Sequence, residues 1–306
     1  MPLLTWRPKK SSPDLPTGPM AILQSCANPF CRSGWLHLWR NRTAPVFEGG
    51  WNCSPQCTAE RIAAAVSREL GARGFSPLQH RHRVPIGLLM LEQRWITAPQ
   101  LKEALAAQRL HCSGRLGDWL VAQQGVSEDL VTRALSLQWS CPVLPLESYD
   151  PEGLASVMPR VIVDAAGVLP LRIAAGRLLY LGFEDRLDPV LALAMERMSG
   201  LRVESGIVQG SAFRAAHERI LGAAFAPVEL LEAISEPALA QTLARTLERV
   251  RPVESRLVRV HDYLWLRMWH KPQTSSVTVA AEVQDVVAML VGREHMRGSS
   301  PLLGRR

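Results

Sequence analysis

The pattern of apolar and polar positions in residues 85–108 recurs thirty positions later, in residues 115–138. Aliphatic residues align with aliphatic residues, from Ile86 with Leu116 at the start to Leu101 with Val131 further on. The identical pairs are Gly87/Gly117, Gln93/Gln123, Ala104/Ala134, Leu105/Leu135 and Gln108/Gln138. A period of this length is typical of one supersecondary unit used twice, in which neither copy buries its apolar face alone. We therefore expect the two copies to pack together in one domain.

Each copy is predicted to form two short helices around a turn. In the second copy, Leu116 and Leu120 lie on one helical face, and Gly125 ends that helix. Ser127 is then the N-cap of the next helix, and Thr97 is the corresponding N-cap in the first copy. The repeats therefore predict four helices.

Beyond the repeats, short β-type runs alternate with helices. The predicted elements are strands Val168–Ile173 and Arg177–Phe183, a helix from Asp188-Pro189 to Gly200, a strand Leu201–Val208 and a helix to Leu221 with Ser211 as its N-cap. This β-β-α-β-α order builds a small sheet with helices on one face. The predicted fold class is therefore α+β.

The C-terminal region, residues 227–292, is predicted to contain a helix and a β-hairpin. The elements are a helical segment Pro227–Val250, strands Leu257–Val260 and Tyr263–Trp269, a further strand Val277–Val279 and a last helix Ala281–Leu290. In the second strand, large aromatic residues alternate with aliphatic residues. Either one of these faces is an interaction surface or both faces are buried.

Four of the six cysteines form two close pairs, Cys26 with Cys31 and Cys53 with Cys57. Two such pairs are typical of a four-thiolate zinc site, because short spacings turn two sulfur atoms the same way. A structural role is favoured over a catalytic one, since four protein ligands leave no open position. Disulfides and free buried thiols are the alternatives, and a reducing compartment disfavours disulfides.

The surroundings of these cysteines resemble a treble-clef finger. Helix Thr58–Leu70 directly follows the last cysteine, and Trp35–Trp39 with Ala44–Trp51 are predicted to form the hairpin between the pairs. Some fingers of this kind bind nucleic acid, but folding a segment without its own core is the commoner task of such a metal. A nucleic-acid role is therefore the least favoured hypothesis.

The two repeats resemble the MshEN domain, the N-terminal domain of type II secretion and type IV pilus assembly ATPases. The second copy carries the family pattern best, through Arg115-Leu116-Gly117, two aliphatic pairs, Leu135 and Gln138. The likeness continues to about Leu221, so residues 80–222 are expected to form this domain.

The resemblance implies that the repeats bind cyclic di-GMP, as several members of the family do. Carried over by position, the candidate ligand residues are Ile86, Gly87, Leu101, Leu105, Gln108, Arg115, Leu116, Gly117, Val131, Leu135 and Gln138, with Asp118 as a possible acceptor for guanine. Glycine allows close approach to the backbone, and arginine supplies charge and a stacking plane. The alternative is that these residues only hold a helical bundle together.

The first copy departs from the family pattern. Pro85 stands where an arginine is expected, and Arg83 is the candidate replacement. The turn glycine is Arg94 in the first copy and Gln124 in the second, where Gly125 takes over with a shift of one residue.

Composition favours a cytoplasmic protein with anionic partners. The chain has 306 residues, 47% of them hydrophobic, a net charge of +7 and a pI near 9.4. No apolar run approaches the ~20 residues that span a bilayer. Residues 1–20 and 293–306 are expected to be disordered, and residues 21–72 to form the zinc module.

No enzyme is predicted from the motifs. The P-loop pattern that accompanies this domain in secretion ATPases is absent from the sequence, as are the nucleophile-elbow and zincin motifs. The sequence therefore predicts a regulatory protein that binds cyclic di-GMP. The alternative is a ligand-free adaptor for a protein partner in a secretion or pilus machine.

Overall fold

The structure is a computed structural model that describes residues 26–33, 45–71, 83–147, 149–272 and 282–291. The predicted strands Trp35–Trp39 and Val277–Val279 lie outside the described residues, as do residues 1–20 and 293–306. The described part combines helices with three sheets, in agreement with the α+β class.

The helices within the described residues are α1 (Pro55–Gly71), α2 (Ile86–Glu92), α3 (Ala98–His111), α4 (Leu116–Gln124), α5 (Glu128–Trp139), α6 (Pro151–Leu154), α7 (Arg160–Ala166), α8 (Pro189–Ser199), α9 (Gly210–Leu221) and α10 (Glu236–Val250).

The strands are β1 (Val46–Phe47), β2 (Gly50–Trp51), β3 (Val168–Ala174), β4 (Leu178–Phe183), β5 (Arg202–Ile207), β6 (Val228–Ala233), β7 (Glu254–Val260), β8 (Tyr263–Trp269) and β9 (Val283–Leu290). The three sheets have the strand orders β1-β2, β3-β4-β5 and β6-β9-β8-β7.

Four helices, α2 to α5, form where the two sequence copies predict them. Thr97 caps α3 in a capping box with Gln100, and Ser127 caps α5. The first helix of each copy packs against the second helix of the other, α2 on α5 and α4 on α3. Met90, Ala104, Leu120 and Ala134 are fully buried between them, together with neighbouring aliphatic residues. Each copy thus completes the core of the other.

The backbone supports the shifted turn predicted for the second copy. Arg94 adopts a left-handed conformation with φ 57° in the first copy, whereas Gly125 does so in the second with φ 62°. The first copy therefore places an arginine in a conformation that favours glycine.

The second sheet and its helices follow the predicted β-β-α-β-α order. Strands β3 and β4 are antiparallel, β5 is parallel to β4, and Asp188 caps α8. Ser211 is not the N-cap of α9, because that helix begins at Gly210 after Gln209. Instead, Glu128 accepts hydrogen bonds from the backbone and hydroxyl of Ser211.

Two predictions for the C-terminal region are wrong. Residues Val228–Ala233, expected to begin a helix, form strand β6, and the helix starts only after the N-cap Ser235. Residues Val283–Leu290, expected to be a helix, form strand β9, which lies between β6 and β8.

Both faces of the third sheet are buried, which decides between the two interpretations of strand β8. On one face, Leu264, Leu266 and Met268 pack against α1 and α10. On the other face, Trp265 and Trp269 join the core of residues 144–226. The segment around the cysteines therefore shares a core with the C-terminal region, because α1 belongs to both.

The hairpin near the cysteines also differs from the prediction. Residues 45–51, expected to be one returning strand, contain β1 and β2 joined at Glu48 and Gly49. Both turn residues have positive φ, as two-residue hairpin loops favour. Among the described helices, none is long and apolar enough to cross a membrane.

Candidate ligand groove and metal centre

A groove of about 520 Å³ opens between the repeat helices and the loop that follows β4. We call it the α4–α5 groove. Its lining residues are Ile86, Arg115, Leu116, Gly117, Asp118, Val121, Ala122, Glu128, Val131, Thr132, Leu135, Gln138, Trp139, Glu184, Asp185, Arg186, Gly210 and Arg214. The floor is aliphatic and aromatic, and charged side chains surround it.

Eight of the twelve predicted ligand residues line this groove. They are Ile86, Arg115, Leu116, Gly117, Asp118, Val131, Leu135 and Gln138. The other four, Gly87, Leu101, Leu105 and Gln108, are not part of its lining. Leu101 is buried in the repeat core, and Gln108 donates to the carbonyl of Gly114 at 3.0 Å. The first copy therefore supplies mostly packing, and the second supplies most of the groove.

The two repeat glycines permit close packing of helices. A Cβ atom on Gly117 would lie 2.7 Å from Val131 Cγ1, and one on Gly87 would lie 2.7 Å from Leu101 Cδ1. Cβ atoms in folded proteins essentially never lie this close to another heavy atom. Each glycine therefore has a packing role whether or not a ligand binds.

The cation predicted to contact the ligand is already paired. Arg115 Nη1 lies 2.7 Å from Glu184 Oε2, and Arg115 Nε lies 3.1 Å from Asp185 Oδ2. Burial alone would lower the pKa of Arg115, but the bond to Glu184 and the charge of Asp185 outweigh it and raise the pKa. Glu184 also pairs with Arg214 of α9. An anionic ligand at Arg115 must therefore compete with two carboxylates.

Sequence reasoning missed the acidic loop and the two further arginines, Arg186 and Arg214. These residues lie outside the repeats, and no local motif marks them. Glu184, Asp185 and Arg186 lie in the loop after β4, where functional groups are common, and Arg214 lies near the start of α9.

Arg83 lies beside the groove and not in solvent. Its guanidinium stacks on the ring of Trp139 at 3.7 Å, and its Nη1 donates to the carbonyl of Gln138. Its Nε is buried without a hydrogen-bond partner among the described residues. A cation is therefore present near the position that Pro85 leaves uncharged.

The four predicted zinc ligands converge. The sulfur atoms of Cys26, Cys31, Cys53 and Cys57 all lie within 4.8 Å of one another. Cys53 Sγ lies 3.5 Å from Cys31 Sγ and 3.6 Å from Cys57 Sγ. Four thiolates around zinc at ~2.3 Å stand about 3.8 Å apart in a tetrahedron. The geometry fits a tetrahedral metal.

The electrostatics of the cluster also fit a metal ion. Burial raises the pKa of Cys53 to about 12, with smaller contributions from the neighbouring sulfur atoms, and burial raises that of Cys26 as well. Thiolates so placed need a cation to hold their charge. Cys57 lies in the first turn of α1, so a bound metal would fix the start of the helix that enters the C-terminal core.

Comparison with known proteins gives partial matches. No protein-family model matches the chain. Bacteriophage adsorption protein B of Escherichia coli K12 and bacteriophage N4 adsorption protein B of E. coli O157:H7 are each 33% identical over 126 residues. The match covers 40% of this chain and 16% of each relative, so the chain spans about a sixth of their length.

Two solved structures are also similar. MshE with cdg, that is cyclic di-GMP, is 24% identical with a TM-score of 0.37, over 45% of this chain and 99% of that one. The N-terminal domain of XpsE is 20% identical with a TM-score of 0.32, over 44% and 92%. These scores are too low to establish a shared fold. The resemblance to the MshEN domain therefore rests on the repeated sequence pattern.

Proposed function

We propose that this protein is a non-enzymatic regulator that binds cyclic di-GMP in the α4–α5 groove. The observation that carries the proposal is that eight of the twelve residues suggested by the resemblance to the MshEN domain line one groove. Aliphatic walls suit the faces of purines, and the arginines around them suit phosphates and guanine edges. The four cysteines hold a structural zinc ion that anchors α1, and the output is a protein partner in a secretion or pilus machine.

Arg115 in the groove and Arg83 beside it are the two cations that we assign to the arginine positions of the repeat pattern. Arg115 is half exposed at the groove, with a side-chain exposure of 49%. Arg83, stacked on Trp139, supplies charge on the side where the first copy has Pro85. Gln138, Leu135 and Ile86 also line the groove.

The alternative function is a ligand-free adaptor, and the charge of the groove favours it. Three arginines and four carboxylates line the groove, so it offers no net positive charge to a dianionic ligand. Exposed apolar side chains on the repeat helices, Leu88 on α2 and Leu137 on α5, are the docking groups in this case.

Calorimetric titration of cyclic di-GMP into the full chain distinguishes the two functions. We expect micromolar or tighter binding that is lost in Arg115→Ala and kept in Arg109→Ala. Arg109 is a matched control because it is an exposed helical arginine outside the groove. Absence of binding to the folded, zinc-loaded wild type would reject the receptor and leave the adaptor.

A further inference from the structure

One five-residue segment, residues 184–188, contacts both the groove and the C-terminal sheet. At its start, Glu184 and Asp185 pair with Arg115 of the second repeat. Glu184 also pairs with Arg214, and its side chain is only 16% exposed. The start of the segment is therefore held by groove cations.

The end of the same segment is held by the C-terminal sheet. Asp188 Oδ2 bonds to His261 Nε2 in the turn between β7 and β8. Asp188 Oδ1 accepts from the amides of Val190 and Leu191, at 3.1 and 3.0 Å, and so caps α8. One carboxylate thus fixes both the start of α8 and a contact to the sheet.

Helix α8 carries the connection on to the metal module. Arg197, near its end, pairs with Glu69 of α1 through two bonds of 2.6 and 3.1 Å. Glu69 is 3% exposed and also accepts from the backbone amide of Arg259 in β7 at 3.2 Å. Burial alone would raise the pKa of Glu69, but Arg197 and Arg68 outweigh it and keep the carboxyl charged.

We propose that segment 184–188 couples occupancy of the α4–α5 groove to the C-terminal sheet and to α1. This inference rests on the proposed ligand site and names its regulation. An anion bound at Arg115 displaces Glu184 and Asp185 from their cation. The freed segment then alters the Asp188 contact with His261 and the cap of α8. Binding in the groove thereby changes the conformation of the surface formed by α1, α8 and the β7–β8 turn.

Reciprocity gives a test at a residue far from the ligand. If binding changes the Asp188–His261 contact, then removal of that contact must change binding by the same factor. We expect His261→Ala to change the Kd for cyclic di-GMP by about fivefold or more, the lower end of typical coupling. His270→Ala is the matched control, because this exposed histidine follows β8 and makes no side-chain contact with segment 184–188 in the described structure. Binding in wild type with an unchanged Kd in His261→Ala would overturn the coupling.

Hydrogen exchange tests the coupling without any ligand. Arg115→Ala removes the cation that Glu184 and Asp185 share and leaves Glu184 paired with Arg214 alone. We therefore expect faster amide exchange at residues 186–191 and 259–264 than in wild type or Arg109→Ala. Unchanged exchange there, in a variant that keeps its thermal stability, would overturn the coupling. If wild type binds no cyclic di-GMP, the proposed receptor fails, and this exchange experiment alone still decides whether segment 184–188 transmits a change from the groove. Should Arg115→Ala unfold, Glu184→Gln replaces it in the same comparison.

Discussion

The side-chain amide of Gln138 donates to the carbonyl oxygen of Val84 at 2.8 Å, joining the last helix of the second repeat to the start of the first. Gln108, thirty residues earlier, makes the corresponding bond to Gly114 at 3.0 Å, just before the second repeat. The two bonds are reciprocal, since each copy supplies the glutamine that holds the start of the other. The identical residue at position 24 of both copies thus has a structural role before any ligand is considered.

The two glutamines separate structural from ligand effects. We expect Gln138→Ala and Gln108→Ala each to lower the free energy of unfolding by about 0.5–1.5 kcal/mol, the worth of one hydrogen bond. Only Gln138 lines the groove, so only Gln138→Ala should also weaken binding of cyclic di-GMP. Urea denaturation measures the first effect and calorimetry the second. An equal loss of affinity in both variants would assign the effect to the fold.

Gly117→Ala is expected to destabilise the repeats through overpacking. The new methyl group would lie 2.7 Å from Cγ1 of Val131, a stiff β-branched side chain. Overpacking costs about 2 kcal/mol (range about 1–3), and alanine regains about 1 kcal/mol of helix propensity, so we expect a net loss of about 1 kcal/mol. Denaturant unfolding measures it.

Two further variants check this explanation. Gly71→Ala is the matched control, because a Cβ atom there meets nothing within 4 Å, and it should cause no loss. Gly87→Ala should cost less than Gly117→Ala, since the nearest atom is the end of the flexible Leu101 side chain. A Gly117→Ala protein as stable as wild type would contradict the packing role.

The sequence predicted elements well where local signals were complete. Thr97 and Ser127 cap helices as predicted, and Asp188 caps α8 where the sequence predicts a helix to start, because each places a short polar side chain there. Strand β9 was mistaken for a helix, since Val283, Val286, Val287 and Leu290 have helical spacing. A central strand buried on both faces is apolar on both, so its spacing does not distinguish it from a helix.

The groove was only half visible in the sequence. The repeats identify one wall through residues such as Arg115 and Leu135. The opposite wall comes from Glu184 and Asp185 in the loop after β4 and from Arg214 in α9. Their position depends on how the second sheet packs against α5, and a tertiary arrangement of this kind leaves no local pattern.

Loss of one metal ligand should unfold the start of α1 and weaken the C-terminal core. We expect purified wild type to contain one zinc ion per chain, and Cys53→Ser to lose it and melt at lower temperature, because α1 packs on α10 and β7. Cys112→Ser is the matched control, since Cys112 is exposed and outside the cluster. Metal analysis and calorimetric melting are the measurements. Full zinc content in Cys53→Ser would refute the assignment of this ligand.

The pair of His261 and Asp188 predicts a pH dependence of stability. The hydrogen bond to Asp188 raises the pKa of His261 above its ordinary 6.5, against the opposing effect of burial. Because the pKa of His261 is higher in the folded state than in the unfolded state, its protonation stabilises the fold fully at a pH below 6.5. This stabilisation is lost as the pH rises through the pKa of the folded state. The difference in unfolding free energy between wild type and His261→Ala should therefore shrink as the pH rises above 6.5. A constant difference for His261→Ala across this pH range would contradict the pairing.

Arg267 and Asp285 form a buried ion pair in the third sheet. Arg267 donates twice to Asp285, at 2.7 Å each, and Trp265 Nε1 donates to the same carboxylate at 2.8 Å. Arg267 also donates to the carbonyl of Val157 at 2.8 Å, which links the sheet to the core of residues 144–226. Both charges are almost fully buried, so loss of one leaves the other without compensation.

We therefore expect Asp285→Ala to lower the free energy of unfolding by about 3–5 kcal/mol, measured by denaturant titration. Replacement of both charges, with Arg267→Met and Asp285→Leu together, should cost less than the single change, because it leaves no buried charge unpaired. If the double variant were the less stable of the two, the pair itself would be a net source of stability. The main cost of Asp285→Ala would then be the lost attraction and hydrogen bonds, and not the stranded arginine.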